Sequence, residues 1–266
     1  MDGSLYGVTP AGGPPAASPC YKVGCGTVFQ LTPPAAGGSR WTKSILYVFP
    51  SRVGDGRDPN ADIVFDSHGN LYGTTYAGGT SSYGTVFQLT PPTQPGAAWA
   101  ETVLHNFTGG SDGGYPIGGL VVGANGSLYG TASYSGVPND SGTVFDLTPP
   151  SVAGGEWTFS VLHTFPANSK DGATPASTMV FDESGDLYGT TWSGGSTACY
   201  LGCGTVFKLA PPLEPGGSWT ETVLHDWPNS EQVPNVSVVV FNSGLLYGTT
   251  EFLGAKDVGS AFTLAP

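Results

Sequence analysis

Short apolar runs, broken by glycine, proline, acidic and amide residues, follow one another along the whole chain, and no stretch carries a helical period. One run recurs almost unchanged. GSLYGVTPAGG starts at residue 3, GNLYGTTYAGG at 69, GSLYGTASYSG at 126, GDLYGTTWSGG at 185 and GLLYGTTEFLG at 244. The tyrosines, Tyr6, Tyr72, Tyr129, Tyr188 and Tyr247, are 66, 57, 59 and 59 residues apart. A second phrase follows each copy: GTVFQL at 26 and 84, GTVFDL at 142, GTVFKL at 204, GSAFTL at 259. A third appears four times, as WTKSILYVF at 41, WAETVLHNF at 99, WTFSVLHTF at 157 and WTETVLHDW at 219. Four apolar runs precede an LYG phrase: DIVFD at 62, GLVVG at 119, TMVFD at 178 and VVVFN at 238.

Each phrase reads as a strand. In VFDSHGN-LYGTT an apolar run, a turn rich in Asp, Gly and Asn, and a second run make a hairpin. The TPP…GG segments supply further turns, where proline fixes φ and ends pairing. The third phrase alternates, which places Trp99, Glu101, Val103, His105 and Phe107 on one face. One unit is then four short antiparallel strands, and repeats of this length predict an all-β, five-bladed β-propeller forming a single domain. The repeats run over about 1–54, 55–111, 112–170, 171–230 and 231–266. Five full blades need twenty strands, whereas the phrases supply eighteen: the first blade lacks its opening strand and the last its closing one. Either those blades are three-stranded, or end segments fill in, or the native array is longer.

Glycine (42) and proline (23) recur at fixed places and so act as turn chemistry, in a chain of 266 residues that is long enough to bury a core. No apolar stretch is long enough to span a bilayer, and the start MDGSLYG lies in mid-repeat with no signal peptide in view. With 8 basic against 20 acidic residues, the formal charge of −12 argues against nucleic acid, which needs a basic stripe, and leaves cations or neutral ligands such as sugars. The chain is expected to be a monomer.

The combination of LYGTT with GTVFxL, W…TVLHNF and a DG…P segment resembles the bacterial GloVer tandem repeat of "choice-of-anchor" surface proteins, over essentially the whole chain. The resemblance implies export and life at the cell surface or outside the cell. It implies no particular activity.

Several residues invite chemistry. His105, His163 and His225 look like a ligand set, but they occupy one position in successive repeats, with Tyr47 as the fourth member. A flat ring with a satisfied hydrogen bond accounts for all four. His68 sits in a turn and reads as solvated. Cys20 with Cys25, and Cys199 with Cys203, each precede a GTVF strand in non-neighbouring repeats, so two local disulfides are expected, and an oxidising compartment with them. A DG-x-x-P phrase recurs at Asp112 and Asp171, more loosely at Asp55, with Glu231 and Pro234 as a degenerate copy. It is either a turn whose Asp bonds nearby N–H groups, or a ring of carboxylates (Asp55, Asp112, Asp171) for a cation, with calcium the candidate.

The loops after LYGTT differ between copies and carry Tyr76, Tyr83, Tyr134, Asn139, Asp140, Trp192, Tyr200, Glu251, Phe252 and Asp257. Rings beside carboxylates and amides suit carbohydrate, which makes Tyr76, Tyr83, Tyr134, Asp140, Trp192, Tyr200 and Phe252 the candidate binding residues. No nucleophile triad, HExxH or phosphate loop is present. A glycan hydrolase or lyase needs only two carboxylates, for which Asp112 with Asp171 or Asp140 with Glu251 are the candidates. Three readings follow: a propeller that binds carbohydrate or a similar polar ligand on its loop face or central channel, a glycan-active enzyme, or a structural spacer.

Overall fold

The computed structural model describes residues 3–13, 20, 23–36, 38–50, 52, 54–94, 96–134, 137, 140–152, 154–167, 170–196, 202–214, 216–227, 240–250 and 260–266. Among these there is no α-helix, and every strand ladder is antiparallel. The chain divides into two compact units, residues 1–107 and 108–266.

The first unit holds two sheets. Leu5–Thr9, Thr27–Thr32 and Thr42–Val48 form the first, and Val64–Phe65, Leu71–Thr75, Thr85–Thr90 and Ala100–Asn106 the second. A short ladder joins Gly56–Arg57 to Ala77–Gly78. The second unit holds three. The third sheet is Val121–Val122, Leu128–Ala132, Asp140–Thr148 and Thr158–Pro166, and the fourth is Val180–Phe181, Leu187–Ser193, Thr205–Ala210 and Thr220–Asp226. In the fourth, Ala173–Pro175 also pairs with the far end of Leu187–Ser193. The fifth is Val240–Asn242, Leu245–Thr250 and Ser260–Leu264. All eighteen expected strands form, and the first and fifth sheets have three strands each.

The two most constant phrases are halves of one cross-strand contact. The glycine of each LYG pairs with the phenylalanine of the next phrase, as Gly73↔Phe87, Gly130↔Phe145 and Gly189↔Phe207. The ring lies flat over that glycine: a Cβ on Gly73, Gly130 or Gly189 would come within 2.7, 2.6 and 2.6 Å of the ring tip. Phe87, Phe145 and Phe207 are completely buried, and each such burial stabilises by roughly 2–3 kcal/mol. Two residues along, the threonines close the same ladder through buried hydroxyl pairs, Thr75–Thr85 at 2.8 Å and Thr191–Thr205 at 2.9 Å.

The fourth strand departs from simple alternation. Val86 faces His105 while Phe87 faces Val103, so Leu104 is an extra, bulged residue. The same bulge stands opposite Val28/Phe29, Val144/Phe145 and Val206/Phe207. An inserted residue reverses the phase of a strand. Glu101 and Val103 therefore look to one side of the second sheet and His105 to the other, which corrects the single face read from the sequence. Each sheet presents its bulge-side rings to the following sheet of its unit. Phe49 meets Phe87 edge-on at 5.2 Å, Phe165 meets Phe207 at 5.2 Å, and Trp227 meets Phe262 at 5.6 Å.

The DG-x-x-P segment locks adjacent repeats. Asp58, Tyr115 and Thr174, each just before the proline, all have φ between 51° and 56°, a conformation unfavourable for L-residues and more so before proline. The prolines land on the glycine that opens GTVF in the preceding repeat. A Cβ on Gly26 or Gly142 would lie 2.5 Å from Pro59 Cδ or Pro175 Cδ respectively. Both glycines also have positive φ, 108° and 104°, so sterics and backbone conformation demand the same residue there.

Cys20 and Cys25 form the local disulfide expected between the first two strands of the first sheet. Cys203 is also disulfide-bonded, and Cys199 lies outside the described residues. In the first sheet Leu5 is 57 % exposed, whereas its counterpart Leu71 is sealed.

Candidate functional site

The residues nominated from the loops are spread over several environments. Tyr76 is half-buried, with its N–H donated to the carbonyl of Asp58. Tyr83 is also half-buried and bridges to Gly78. Tyr134 and Trp192 are each 43 % exposed, and Tyr134 stands edge-on to Tyr115 at 5.7 Å. Asp140 opens the strand Asp140–Thr148 opposite Pro166. Asn139, Tyr200, Glu231, Pro234, Glu251, Phe252 and Asp257 lie outside the described residues.

The three DG aspartates do different jobs. Asp112 is a turn acceptor: its carboxylate takes the N–H of Thr108 at 2.8 Å and the hydroxyl of the same residue. Asp55 and Asp171 instead face a carboxylate from the fourth strand, Glu101 and Glu221, whose protonated forms they favour by charge repulsion. The carboxylate that Asp171 acts on is Glu221. Tyr47 donates its hydroxyl to Glu101 Oε2 at 2.6 Å. Burial, then the bond to Glu101, push the Tyr47 phenol far above its ordinary value. At the equivalent place stands His163, with its charged form disfavoured by burial and favoured by Asp171.

The histidines are ring-packing residues. His105, His163 and His225 each meet the aromatic two positions on, at 4.9, 4.6 and 4.9 Å. One expectation fails. Nε2 of His163 is buried with no hydrogen-bond partner, and His225 is exposed beside a fifth sheet that has three strands among the described residues. His68 is solvated, its side chain 83 % exposed.

Within the second unit, a cleft of about 510 Å³ opens at the other end of the strands, between the hairpin turns of the third and fourth sheets. Tyr129, Phe181 and Trp219 form its walls, and Asn125, Asp182 and Glu183 lie along its edge. Tyr129 is edge-on to Phe181 at 5.1 Å and to Trp219 at 6.1 Å. Burial and the nearby Asp146 raise its phenol pKa, against a hydrogen bond with Ser127 that lowers it. In the fourth repeat the first hairpin is held by Asp182, which accepts the N–H groups of Ser184 and Asp186 at 2.9 Å and the Tyr188 hydroxyl at 3.0 Å. Asp66 holds the second repeat in the same way. The third repeat has Val122-Gly123 where these have Phe-Asp. It therefore lacks both the large ring and the carboxylate, and Tyr129 leans into the gap: a Cβ on Gly123 would lie 2.8 Å from Tyr129 Cε2.

The arrangement offers flat apolar walls with amide and carboxylate groups at the edge and no basic residue among its lining. Its size falls within that of small-ligand sites, roughly 300–1,000 Å³. The sequence reasoning passed over it because its rings are the repeated ones. The available signal was Gly123, standing where the other repeats have Asp66, Asp182 and Asn242.

A profile of the Gloeobacter/Verrucomicrobia repeat matches residues 1–262. The chain belongs to that family. The GloVer resemblance carried by LYGTT and GTVFxL is thereby established, and with it a repeat protein. No curated protein matches the chain at a significant level.

Proposed function

We propose that this GloVer-repeat chain is a secreted or cell-surface protein that binds carbohydrate in the cleft bounded by Tyr129, Phe181 and Trp219. The observation that carries the reading is this trio of rings around a 510 Å³ space with Asn125 and Glu183 at the edge. Sugar C–H faces stack on aromatic planes while hydroxyls take amide and carboxylate groups. The local disulfide supports an oxidising, extracellular setting. Five repeats with one shared register support blades of the propeller kind. A five-bladed ring in addition requires cover for Leu5, Trp41 and Ile45 of the first sheet, and small-angle scattering separates a ring from an open row of sheets.

Against the enzyme reading weighs the placement of the carboxylate pairs. The free oxygens Asp55 Oδ2, Glu101 Oε1 and Glu221 Oε1 are buried away from any substrate. Titration with a panel of neutral oligosaccharides tests the proposal by calorimetry or by ligand-observed NMR. Saturable binding should weaken at least about tenfold in Trp219→Ala, with Tm and circular dichroism unchanged. Binding that is indifferent to Trp219→Ala and to Phe181→Ala refutes the cleft as the site.

A further inference from the structure

Two places in the fold repeat an arrangement that the binding cleft does not use. In the first unit, Tyr47 of the first sheet and Asp55 of the following linker meet Glu101 of the second sheet. In the second unit, Asp171 of the linker after the third sheet acts by its charge on both His163 of that sheet and Glu221 of the fourth. In both, the glutamate leaves the fourth strand before the bulge and so looks back at the preceding sheet. The ring leaves its own strand after the bulge and looks forward. At the first place the bulge brings Tyr47 and Glu101 face to face.

The bonding is incomplete in the same way at both places. Glu101 Oε2 takes the Tyr47 hydroxyl, yet Glu101 Oε1 and Asp55 Oδ2 are buried without a hydrogen-bond partner. Glu221 Oε1 and His163 Nε2 are likewise buried and unmatched. A buried oxygen without a donor is costly when it carries charge. The groups acting on Glu101 are Tyr47 and Asp55, with Arg52 reaching only as far as the Tyr47 hydroxyl. The group acting on Glu221 is Asp171, which faces His163 as well. Two ionised carboxylates at such a place would repel each other and leave lone pairs unsatisfied. A single retained proton removes the repulsion and supplies a donor.

We propose that each glutamate–aspartate pair holds one proton in the folded protein, so that Asp55–Glu101 and Asp171–Glu221 are acid-strengthened latches between consecutive repeats. The direction of the shifts agrees. Burial, with Asp55 adding to it and the Tyr47 bond opposing, raises Glu101, while burial and then Asp171 push Glu221 up to about 7. A carboxyl whose pKa is raised by folding gives its full stabilisation below its unfolded value of 4.5 and loses it as pH climbs through the folded value. For Glu221 that window is about pH 4.5 to 7.

The test is chemical unfolding of the whole chain between pH 5 and 8, with proton uptake on folding measured by calorimetry in buffers of different ionisation enthalpy. The folding constant should fall with rising pH by up to about tenfold per pH unit for each retained proton. Glu221→Gln and Glu101→Gln mimic the protonated acid. Each should match the wild type in acid and exceed it at pH 8, and Glu221→Gln should take up about one proton fewer on folding near pH 6. Glu156→Gln removes one exposed charge elsewhere and should leave the slope unchanged. If either interface glutamine destabilises equally at both pH values, the carboxylate is needed in its charged form and the proposal fails. Unchanged proton uptake in Glu221→Gln overturns it as well. Should Glu221→Gln not fold, Asp171→Asn, which takes away one of the two causes that raise Glu221, must still lessen the slope.

Discussion

Replacing Gly130 by alanine tests the cross-strand contact on which every repeat depends. Gly130 is not in the left-handed region, so the backbone accepts alanine and only the added methyl matters. That methyl would lie 2.6 Å from Phe145 Cζ, 2.8 Å from Leu120 Cδ2 and 3.1 Å from Phe145 Cε1. Carbon atoms at rest stand about 3.5–4.0 Å apart, so the ring must retreat by close to an ångström. It has nowhere to go: Phe145 is fully buried and stacked on Phe159 at 5.3 Å with the planes 26° apart. Leu120 is sealed too. Overpacking of this kind costs about 1–3 kcal/mol, and pressure from two directions on a ring that cannot turn places Gly130→Ala near 3 kcal/mol. Urea unfolding followed by far-ultraviolet circular dichroism gives the number. The sharper measurement is a double-mutant cycle. Phe145→Leu by itself opens a cavity and destabilises, but in that background Gly130→Ala should become nearly harmless, a coupling of about 1–3 kcal/mol. If Gly130→Ala alone costs under about 0.5 kcal/mol, or if the two changes add without coupling, then the ring does not rest on the glycine and the account of the LYG phrase is wrong.

Other outcomes follow from the same geometry. Removing the Cys20–Cys25 bond, which closes a loop of sequence separation 5, should lower stability by about 2 kcal/mol, because so short a loop removes little unfolded-state entropy; denaturant melts of the Cys20→Ser, Cys25→Ser double variant beside the wild type measure it. Asp66→Asn should cost about 1–3 kcal/mol at pH 7 and nothing in strong acid. Burial opposes ionisation there, but bonds from Asn70, His68 and Tyr72 outweigh it and lower the pKa. The stabilisation is thus present above the unfolded value of 3.8 and lost as pH falls through the folded one; the acid limb of a stability–pH curve shows this. Trp219→Ala should remove oligosaccharide binding without unfolding the chain, and Glu221→Gln should flatten the fall of stability between pH 5 and 8, each by the measurement given above.

What the sequence by itself determined is the strand content and its periodic order. Short apolar runs with glycine, proline and aspartate between them leave antiparallel hairpins as the one local solution, so all eighteen strands were legible. The disulfide was legible because five residues of separation allow little else. Facing was not. A one-residue bulge carries no mark in WAETVLHNF, yet it reverses the phase between Val103 and His105, and with it the partner that Glu101 meets. The carboxylate pairs are therefore products of tertiary structure: Asp55 acts on Glu101, and Asp171 on Glu221, because one sheet lies against the next and half-buries the glutamates. The cleft was hidden for a related reason. Tyr129, Phe181 and Trp219 each recur in other repeats, and the space left by Gly123 lies beside this set. Local patterning dictates what each segment becomes. Packing between repeats decides which of the repeated residues are left with room, or with an unmatched charge.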